Sequence, residues 1–259
     1  MDSLGLDPPI IAAVQALGID EFTEPQVRAI PRILAGANVL LVAPTGIGKT
    51  EAAFLPILQG LLRDKPDPTS CLYITPLRAL NRDMLRRMTF FAERLGILVA
   101  VRHGDTSPQE RAAITRHPPD VLITTPETFQ ILMTGRRLRE HLKSVRWVVI
   151  DEIHELASDE RGAQLAVGLE RLRDLTGREF QRIGLSATVG TPDEVGSFLV
   201  GVDRPVEVIR VRMPKGLRIK VEMPDPVPND AEIADRLRLQ GGQATAHSRT
   251  SSRSLARPR

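Results

Sequence analysis

Short runs of Val, Ile and Leu alternate along the chain with segments in which apolar residues recur every three or four positions. Each apolar run has the length of one buried strand, and the intervening segments have the period of helices that cover a sheet. Alternation of this kind builds a mostly parallel sheet with helices on both faces, so the predicted fold is doubly wound α/β. The predicted strands are residues 39–43, 71–75, 98–102, 121–124, 147–150 and 182–185, and the predicted helices are residues 49–62, 77–95, 108–116, 127–133 and 164–175.

Residues 43–50, with the sequence Ala-Pro-Thr-Gly-Ile-Gly-Lys-Thr, follow the first predicted strand and open a predicted helix. A strand, a Gly-rich loop ending in Gly-Lys-Thr and a helix, in this order, are typical of the phosphate-binding loop (P-loop) of an NTPase. The glycines let successive backbone amides face a phosphate, and the helix N-terminus adds its positive dipole end. We therefore expect ATP to bind this loop. The predicted contacts are Thr45, Gly46, Gly48, Lys49 and Thr50.

Two adjacent carboxylates, Asp151 and Glu152, follow the apolar run 147–150. Parallel sheets bind ligands at the carboxyl ends of their strands, so this pair is expected beside the P-loop. Asp151 and the Thr50 hydroxyl are predicted to hold Mg²⁺, which keeps most of its waters and takes few protein ligands. Glu152 is predicted to activate the water that attacks the γ-phosphate, while Lys49 neutralises the phosphates. The predicted catalytic residues are therefore Lys49, Asp151 and Glu152.

The formal net charge of +3 does not indicate a nucleic-acid-binding protein. Residues 240–259 contain four of the 35 basic residues and none of the 32 acidic ones, which leaves a net charge of −1 on the remainder. A nucleic-acid site must therefore rest on local motifs. No apolar run has the length of a membrane span, the N-terminus has no signal-peptide pattern, and the single cysteine, Cys71, cannot form an internal disulfide. The expected location is the cytoplasm, with no membrane partner.

With its P-loop and the Asp-Glu-Ile-His segment 151–154, the chain resembles superfamily 2 DEAD/DEAH-like ATP-dependent helicases, and more narrowly their Lhr-type (large helicase-related) branch. The resemblance covers about residues 15–200 and implies a RecA-like fold, the first motor domain of an enzyme that uses ATP and Mg²⁺. Residues 22–26, Phe-Thr-Glu-Pro-Gln, resemble the adenine-recognition segment of the family. The resemblance implies that the Gln26 carboxamide pairs with the adenine edge.

Three further segments, 75–80, 103–107 and 124–127, resemble family motifs that lie along the backbone of a single nucleic-acid strand. Each follows a predicted strand. The resemblance implies that hydroxyls, backbone amides and helix N-termini contact phosphates there without reading the base sequence, with Arg78 as the strongest contact. Helix capping by Thr, Ser and Asp is the alternative interpretation. The implied nucleic-acid-binding residues are Pro76, Arg78, Gly104, Asp105, Thr106, Thr125, Pro126 and Glu127.

Residues 186–188, Ser-Ala-Thr, resemble the family motif that links the nucleotide site to the nucleic-acid track. The resemblance implies a coupling role for Ser186 and Thr188. The resemblance also assigns His154 to the same linkage. The alternative interpretation is that His154 is a solvated histidine at the start of a helix.

The strand and helix alternation weakens after residue 201, where 206–211 and 217–221 are short candidate strands. We expect residues 1–222 to form the RecA-like domain, 223–239 a Pro-rich connector with one candidate helix, and 240–259 a disordered Arg- and Ser-rich tail. The resemblance implies that a second RecA-like domain completes the ATP site with arginines, yet no second strand and helix series follows residue 228. We expect a truncated or frame-shifted sequence, with a second domain acting in trans.

Three functions fit these motifs. The first is an ATP-dependent helicase or its first domain, the second a nucleic-acid-stimulated ATPase that remodels without unwinding, and the third a nucleotide-dependent nucleic-acid-binding module with no turnover alone. The Lhr-type resemblance favours the first, with DNA as the substrate and DNA repair as the context. RNA stays open, because the motifs do not reveal contacts to a 2′-hydroxyl.

Overall fold

A computed structural model describes the protein over residues 3–77, 80, 82–157 and 159–212, and these residues contain a seven-stranded sheet. The strands are β1 (Val39–Val42), β2 (Cys71–Ile74), β3 (Val99–Arg102), β4 (Val121–Thr124), β5 (Trp147–Ile150), β6 (Gln181–Ser186) and β7 (Glu207–Arg210). Their order across the sheet is β3-β4-β2-β5-β6-β1-β7, and every neighbouring pair is parallel. The predicted parallel α/β fold is confirmed.

Helices connect the strands and cover both faces of the sheet. They are α1 (Pro8–Ala16), α2 (Glu24–Leu34), α3 (Lys49–Asp64), α4 (Arg82–Arg94), α5 (Pro108–Arg116), α6 (Pro126–Thr134), α7 (Arg136–His141), α8 (Glu160–Thr176) and α9 (Pro192–Val200), with 3₁₀ turns at Leu142–Ser144 and Ile153–Glu155. Within the described ranges, no helix has both the length and the apolar character that crossing a membrane requires.

The core consists of two layers, one on each side of the sheet. Successive residues of a strand face opposite sides, so Leu41 lies in the same buried layer as Ile30 of α2, while its neighbour Leu40 lies in the other layer with Phe129 of α6 and Leu199 of α9. Each of these side chains is buried, which stabilises the fold by about 1.5–3 kcal/mol per large apolar residue. Burial on both faces explains why the strands are uninterrupted apolar runs in the sequence.

The predicted elements correspond closely to the observed ones. All six predicted strands are present with ends shifted by a residue or so, and the candidate strand 206–211 is β7. Each predicted helix has a counterpart, but the helix predicted from residue 77 begins at Arg82, and the described residues 77 and 80 are not helical. Helices α1, α2, α7 and α9 were not predicted. Pro31 lies inside α2, and a proline at that position predicts a helix break. Residues 217–221, 223–239 and 240–259 lie outside the described part of the chain, so the boundary near residue 222 stays a prediction.

The start of α8 lies directly against the segment that follows β5. A Cβ atom at Gly162 would be 1.9 Å from the Leu156 carbonyl oxygen and 3.2 Å from the Phe198 ring of α9. Because Leu156 follows the Asp151-Glu152 pair by a few residues, this close approach helps to fix the segment that carries those carboxylates. A residue with a side chain at position 162 forces the backbone apart.

We expect Gly162→Ala to destabilise the domain by about 3 kcal/mol, in the range of overpacked cores, because the obstructing atom is backbone. Urea unfolding measures this loss. Gly190→Ala is the matched control, since a Cβ there meets no atom within 4 Å. Equal stability of the two variants would contradict the packing described here.

Candidate functional site

The P-loop joins β1 to α3 and turns on two glycines in the left-handed region. Gly46 has φ +79° and Gly48 has φ +84°, a conformation that other residues adopt only with strain. Gly48 also lacks room for a side chain, because a Cβ atom would lie 2.3 Å from Gln26 Nε2. α3 begins at Lys49, so the first amides of this helix point into the loop. The local geometry is that of a phosphate cradle.

Lys49 is buried, with 7% of its surface exposed. Its ammonium donates to the carbonyl oxygens of Ala43 at 2.9 Å and Ser186 at 3.1 Å, which leaves one of its three N–H groups for a ligand. Burial lowers the pKa of Lys49, while the charges of Glu152 and Asp151 act in the opposite direction. The side chain is therefore a fixed cation at the mouth of the loop.

Asp151 follows β5 and is 6% exposed. Its carboxylate accepts hydrogen bonds from the Tyr73 hydroxyl at 2.8 Å and from the Glu152 backbone N–H at 2.9 Å. Burial raises the pKa of Asp151, and the Tyr73 hydrogen bond partly offsets this effect. Glu152 has φ +48°, a left-handed conformation that is uncommon for a residue with a side chain and turns the chain sharply after the strand.

All the predicted nucleotide residues except Gln26 line one cleft with a volume of about 270 Å³. Its lining brings together the P-loop with the two carboxylates that follow β5, as the sequence predicted. The lining residues among them are Thr45, Gly46, Gly48, Lys49, Thr50, Asp151 and Glu152. These residues contribute one cation, two carboxylates, a hydroxyl and a helix N-terminus to the cleft. This set of donors and acceptors suits a triphosphate with a divalent cation.

Glu51 and Arg87 also line this cleft and were not predicted. The buried Glu51 carboxylate of α3 pairs with Arg87 of α4 at 2.6 Å. The sequence does not predict this ion pair. Glu51 and Arg87 lie on different helices, and their contact depends on how the two helices pack.

Gln26 lies behind the P-loop and is 3% exposed. Its Oε1 accepts from the Thr23 backbone N–H at 3.0 Å, and its Nε2 donates to the Gly48 carbonyl at 3.2 Å. The Thr23 hydroxyl donates to the Ile47 carbonyl at 2.9 Å. The carboxamide therefore supports the loop, with one N–H and one lone pair remaining; pairing with adenine stays a prediction.

His154 lies between the carboxylate pair and the segment 186–188. Its Nδ1 is 3.4 Å from Glu152 Oε2 and accepts a hydrogen bond of 3.4 Å from the Ala187 backbone N–H. Ser186 is buried, and its hydroxyl donates to the Ala187 carbonyl at 2.8 Å, whereas Thr188 is exposed. The structure thus brings His154 and Ser186 beside the nucleotide cleft and leaves Thr188 at the surface.

The loop after β3 exposes two of its three predicted nucleic-acid contacts. Gly104 and Asp105 are exposed, whereas Thr106 is buried and accepts from the His103 backbone N–H at 2.9 Å. Arg111 of α5 supports the loop from behind by donating to the carbonyls of Gly104 at 2.5 Å and Thr106 at 2.8 Å.

Helix capping accounts for part of the segment after β4. Thr125 is the buried N-cap of α6 and accepts from the Thr128 backbone N–H, and Pro126 is buried in the first turn. Glu127 forms an ion pair of 2.5 Å with Arg161. After β2, Pro76 is buried and Arg78 lies outside the described residues.

The sheet order separates these two sets of loops. The implied nucleic-acid segments follow β3, β4 and β2, which are neighbours, and the nucleotide segments follow β5, β6 and β1, which are also neighbours. All six open at the carboxyl edge of the same sheet because every pair is parallel.

Comparison with known proteins agrees with this arrangement. The sequence model of the DEAD/DEAH box helicase family matches residues 23–195. The chain belongs to this family. Within it, the Lhr-type resemblance is confirmed: the chain is 45% identical to the ATP-dependent helicase Lhr-Core of Saccharolobus solfataricus over 217 residues, which are 78% of this chain and 25% of that protein.

Two further relatives extend the comparison of this DEAD/DEAH box helicase domain. The Lhr helicase/probable uracil glycosylase of Mycolicibacterium smegmatis is 44% identical over 79% of the chain and 14% of its own length. The solved structure of Mycobacterium smegmatis helicase Lhr bound to ssDNA and AMP-PNP superimposes with a TM-score of 0.73 and 41% identity, over 82% of this chain and 28% of that one. The chain therefore spans about a quarter or less of the length of these relatives.

We expect Gln26→Ala to weaken binding of ATP and GTP together, because the Gln26 carboxamide supports the Gly48 carbonyl and thus the phosphate cradle. Titration of the full chain with both nucleotides measures the effect. Gln15→Ala, at an exposed position of α1, is the matched control. A loss confined to ATP would contradict a supporting role and favour adenine pairing.

Proposed function

We propose that this domain binds ATP with Mg²⁺ and forms the first motor domain of an ATP-dependent helicase that acts on DNA in the cytoplasm. The observation that carries the proposal is the cleft in which Lys49, Thr50, Asp151 and Glu152 meet. Membership of the DEAD/DEAH box helicase family supports the use of ATP.

The residues of the cleft have distinct proposed roles. The free N–H of Lys49 and the amides at the start of α3 hold the β- and γ-phosphates, while the Gly46 and Gly48 turns keep the backbone close to them. Thr50 and Asp151 hold Mg²⁺; the two hydrogen bonds that Asp151 accepts leave further lone pairs on its oxygens. When bound, Mg²⁺ neutralises negative charge on the phosphates.

Glu152 is the proposed general base. Its backbone turn orients the carboxylate, which positions a water for attack on the γ-phosphate and accepts its proton. His154 and Ser186 are proposed to report the state of this carboxylate to the segment 186–188, through the Ala187 backbone N–H. Thr188 completes the proposed linkage from its exposed position.

A single strand of nucleic acid is the proposed partner of the loops after β2, β3 and β4. Gly104 and Asp105 are accessible to a phosphate backbone, with backbone N–H groups as donors because the Asp105 carboxylate cannot bind a phosphate directly. Thr125 and Pro126 form the start of α6, whose amides offer a second phosphate contact. Pro76, Arg78, Thr106 and Glu127 complete the proposed set. The relative Lhr bound to ssDNA supports DNA as the substrate.

A second RecA-like domain is the proposed partner for turnover. In the described part of the cleft the cations are Lys49, which carbonyls hold in the P-loop, and Arg87, which Glu51 neutralises. Arginines that stabilise the charge of the transition state increase phosphoryl-transfer rates by about 10³–10⁵, so their source matters for activity. We propose that a second domain, in the same protein or in trans, contributes them.

Two substitutions separate nucleotide binding from hydrolysis. We expect Lys49→Ala to raise the Kd for ATP by about ten- to a hundredfold, since a charge-assisted hydrogen bond contributes about 1.5–3 kcal/mol. We expect Glu152→Gln to bind ATP like the wild type and to lack any turnover that single-stranded DNA elicits, because the amide cannot accept the proton. Calorimetric titration and phosphate release measure the two effects.

Lys143→Ala, which removes an exposed lysine paired with Glu140, controls for the loss of a positive charge. Equal ATP affinity for Lys49→Ala and the control would contradict the P-loop assignment. Hydrolysis by Glu152→Gln at the wild-type rate would contradict the role of the carboxylate.

A further inference from the structure

A second cavity lies at the edge of the sheet, between α5 and α6, and shares no lining residue with the nucleotide cleft. Its volume is about 540 Å³, twice that of the cleft. Arg102 at the end of the edge strand β3 lines it together with Ala112 and Arg116 of α5 and with Ile131 and Leu132 of α6. The P-loop and the segment 186–188 take no part in it, so the nucleotide chemistry does not explain it.

Arg102 carries a buried donor without a partner. Its Nη1 atom is buried and has no hydrogen-bond partner among the described residues. A buried unsatisfied polar group costs about 1–3 kcal/mol, and more when it is charged, so such groups need an explanation. Burial and then the charge of Arg111 lower the pKa of the Arg102 guanidinium, because both disfavour its positive charge.

Two arginines, Arg102 and Arg116, line the cavity, and the charge of a third, Arg111, acts on Arg102. Arg111 donates to the carbonyls of Thr106 and Gly104, and Arg116 donates to the Ala112 carbonyl at 3.4 Å. Over the described ranges of the chain, neither of these arginines nor Arg102 forms an ion pair. The cavity is therefore electropositive, and an anion is the ligand that complements its charge.

The apolar lining decides which anion fits. Ala112 and Leu132 lie beside the Arg102 side chain, and Ile131 stands at the rim with 62% of its surface exposed. A phosphate backbone keeps its charges in water and is held by exposed donors spread along a surface. A carboxylate on an aliphatic stem instead places methylene groups against the apolar wall and its charge on the buried Nη1 group of Arg102.

We propose that this cavity binds an aspartate or glutamate side chain of a protein segment, with Arg102 as the anchor and Ile131 as the apolar rim. The incoming carboxylate supplies the hydrogen-bond acceptor that Nη1 lacks. An apolar residue beside it in the partner covers Ile131. The edge of the sheet around β3 is thus a protein-docking surface that is separate from the nucleotide cleft.

The free protein provides the first test, because an unsatisfied buried cation destabilises the fold that carries it. We expect Arg102→Met to raise the Tm by about 2–4 °C, since the aliphatic stem is kept and the orphan donor is removed. Arg171→Met, at an exposed position of α8, is the matched control and should leave the Tm unchanged. A lower Tm for Arg102→Met would overturn the proposal, because Arg102 would then be a structural residue.

Binding is tested with the blocked peptide acetyl-Ala-Leu-Glu-Leu-Ala-amide and its glutamine counterpart, by amide chemical shifts of the full chain. We expect the glutamate peptide to shift the Thr115 and Gly135 amides saturably up to about 1 mM, and the glutamine peptide to bind at least about tenfold more weakly. Arg102→Met should abolish the shifts and Arg171→Met should retain them.

Ile131→Glu is a second variant that should fold like the wild type, because position 131 is exposed and tolerates a polar side chain. Its carboxylate should occupy the cavity from within and block the peptide. Equal binding of the two peptides, no saturable shift, or shifts produced by a short oligothymidylate in place of the peptide would each overturn the proposal, the last in favour of nucleic acid.

Discussion

The parallel alignment of the central strands is the constraint on which the rest of the structure depends. Val42 of β1 lies in register with Ser186 of β6, so the P-loop and the segment 186–188 leave the sheet side by side. Lys49 joins the two segments, because its ammonium donates to one carbonyl oxygen of each, at Ala43 and at Ser186. A shift of one residue in this register would separate the two carbonyls and exchange the side chains that pack into the two buried layers. The nucleotide cleft is therefore a consequence of sheet pairing.

The cleft holds buried charges that lack a complete set of partners. Burial lowers the pKa of Lys49 and raises the pKa of Asp151, so the fold disfavours both charges in the absence of a ligand. The Tyr73 hydroxyl, the Ala43 and Ser186 carbonyls and the attraction between Lys49 and the carboxylates offset part of this cost. In the proposed complex, a triphosphate with its cation would supply the remaining partners. The same reasoning applies at the β3 edge of the sheet, where the Arg102 Nη1 atom is buried without an acceptor among the described residues.

Much of the fold and of the cleft can be predicted from the sequence, because local patterns encode them. Four-residue apolar runs predict the strands, and the P-loop and the Asp151-Glu152 pair predict residues that line one cleft, because each motif follows a strand. Helix α2 was missed because Pro31 breaks the local helical signal while tertiary packing sustains the helix. The support of Gly48 by Gln26 and the Glu51–Arg87 pair were missed because they join distant segments, and such contacts depend on packing rather than on spacing.

The central claim is that one edge of the sheet carries both a nucleotide site and a nucleic-acid track, joined through His154 and the Ala187 backbone. The most direct test is the affinity of the full chain for fluorescent single-stranded DNA, measured by anisotropy with and without AMP-PNP and Mg²⁺. Coupled sites should give affinities that differ by about fivefold or more, the lower end of typical coupling, and DNA should change the affinity for AMP-PNP by the same factor. Identical affinities, with both ligands bound at saturation, would contradict the claim.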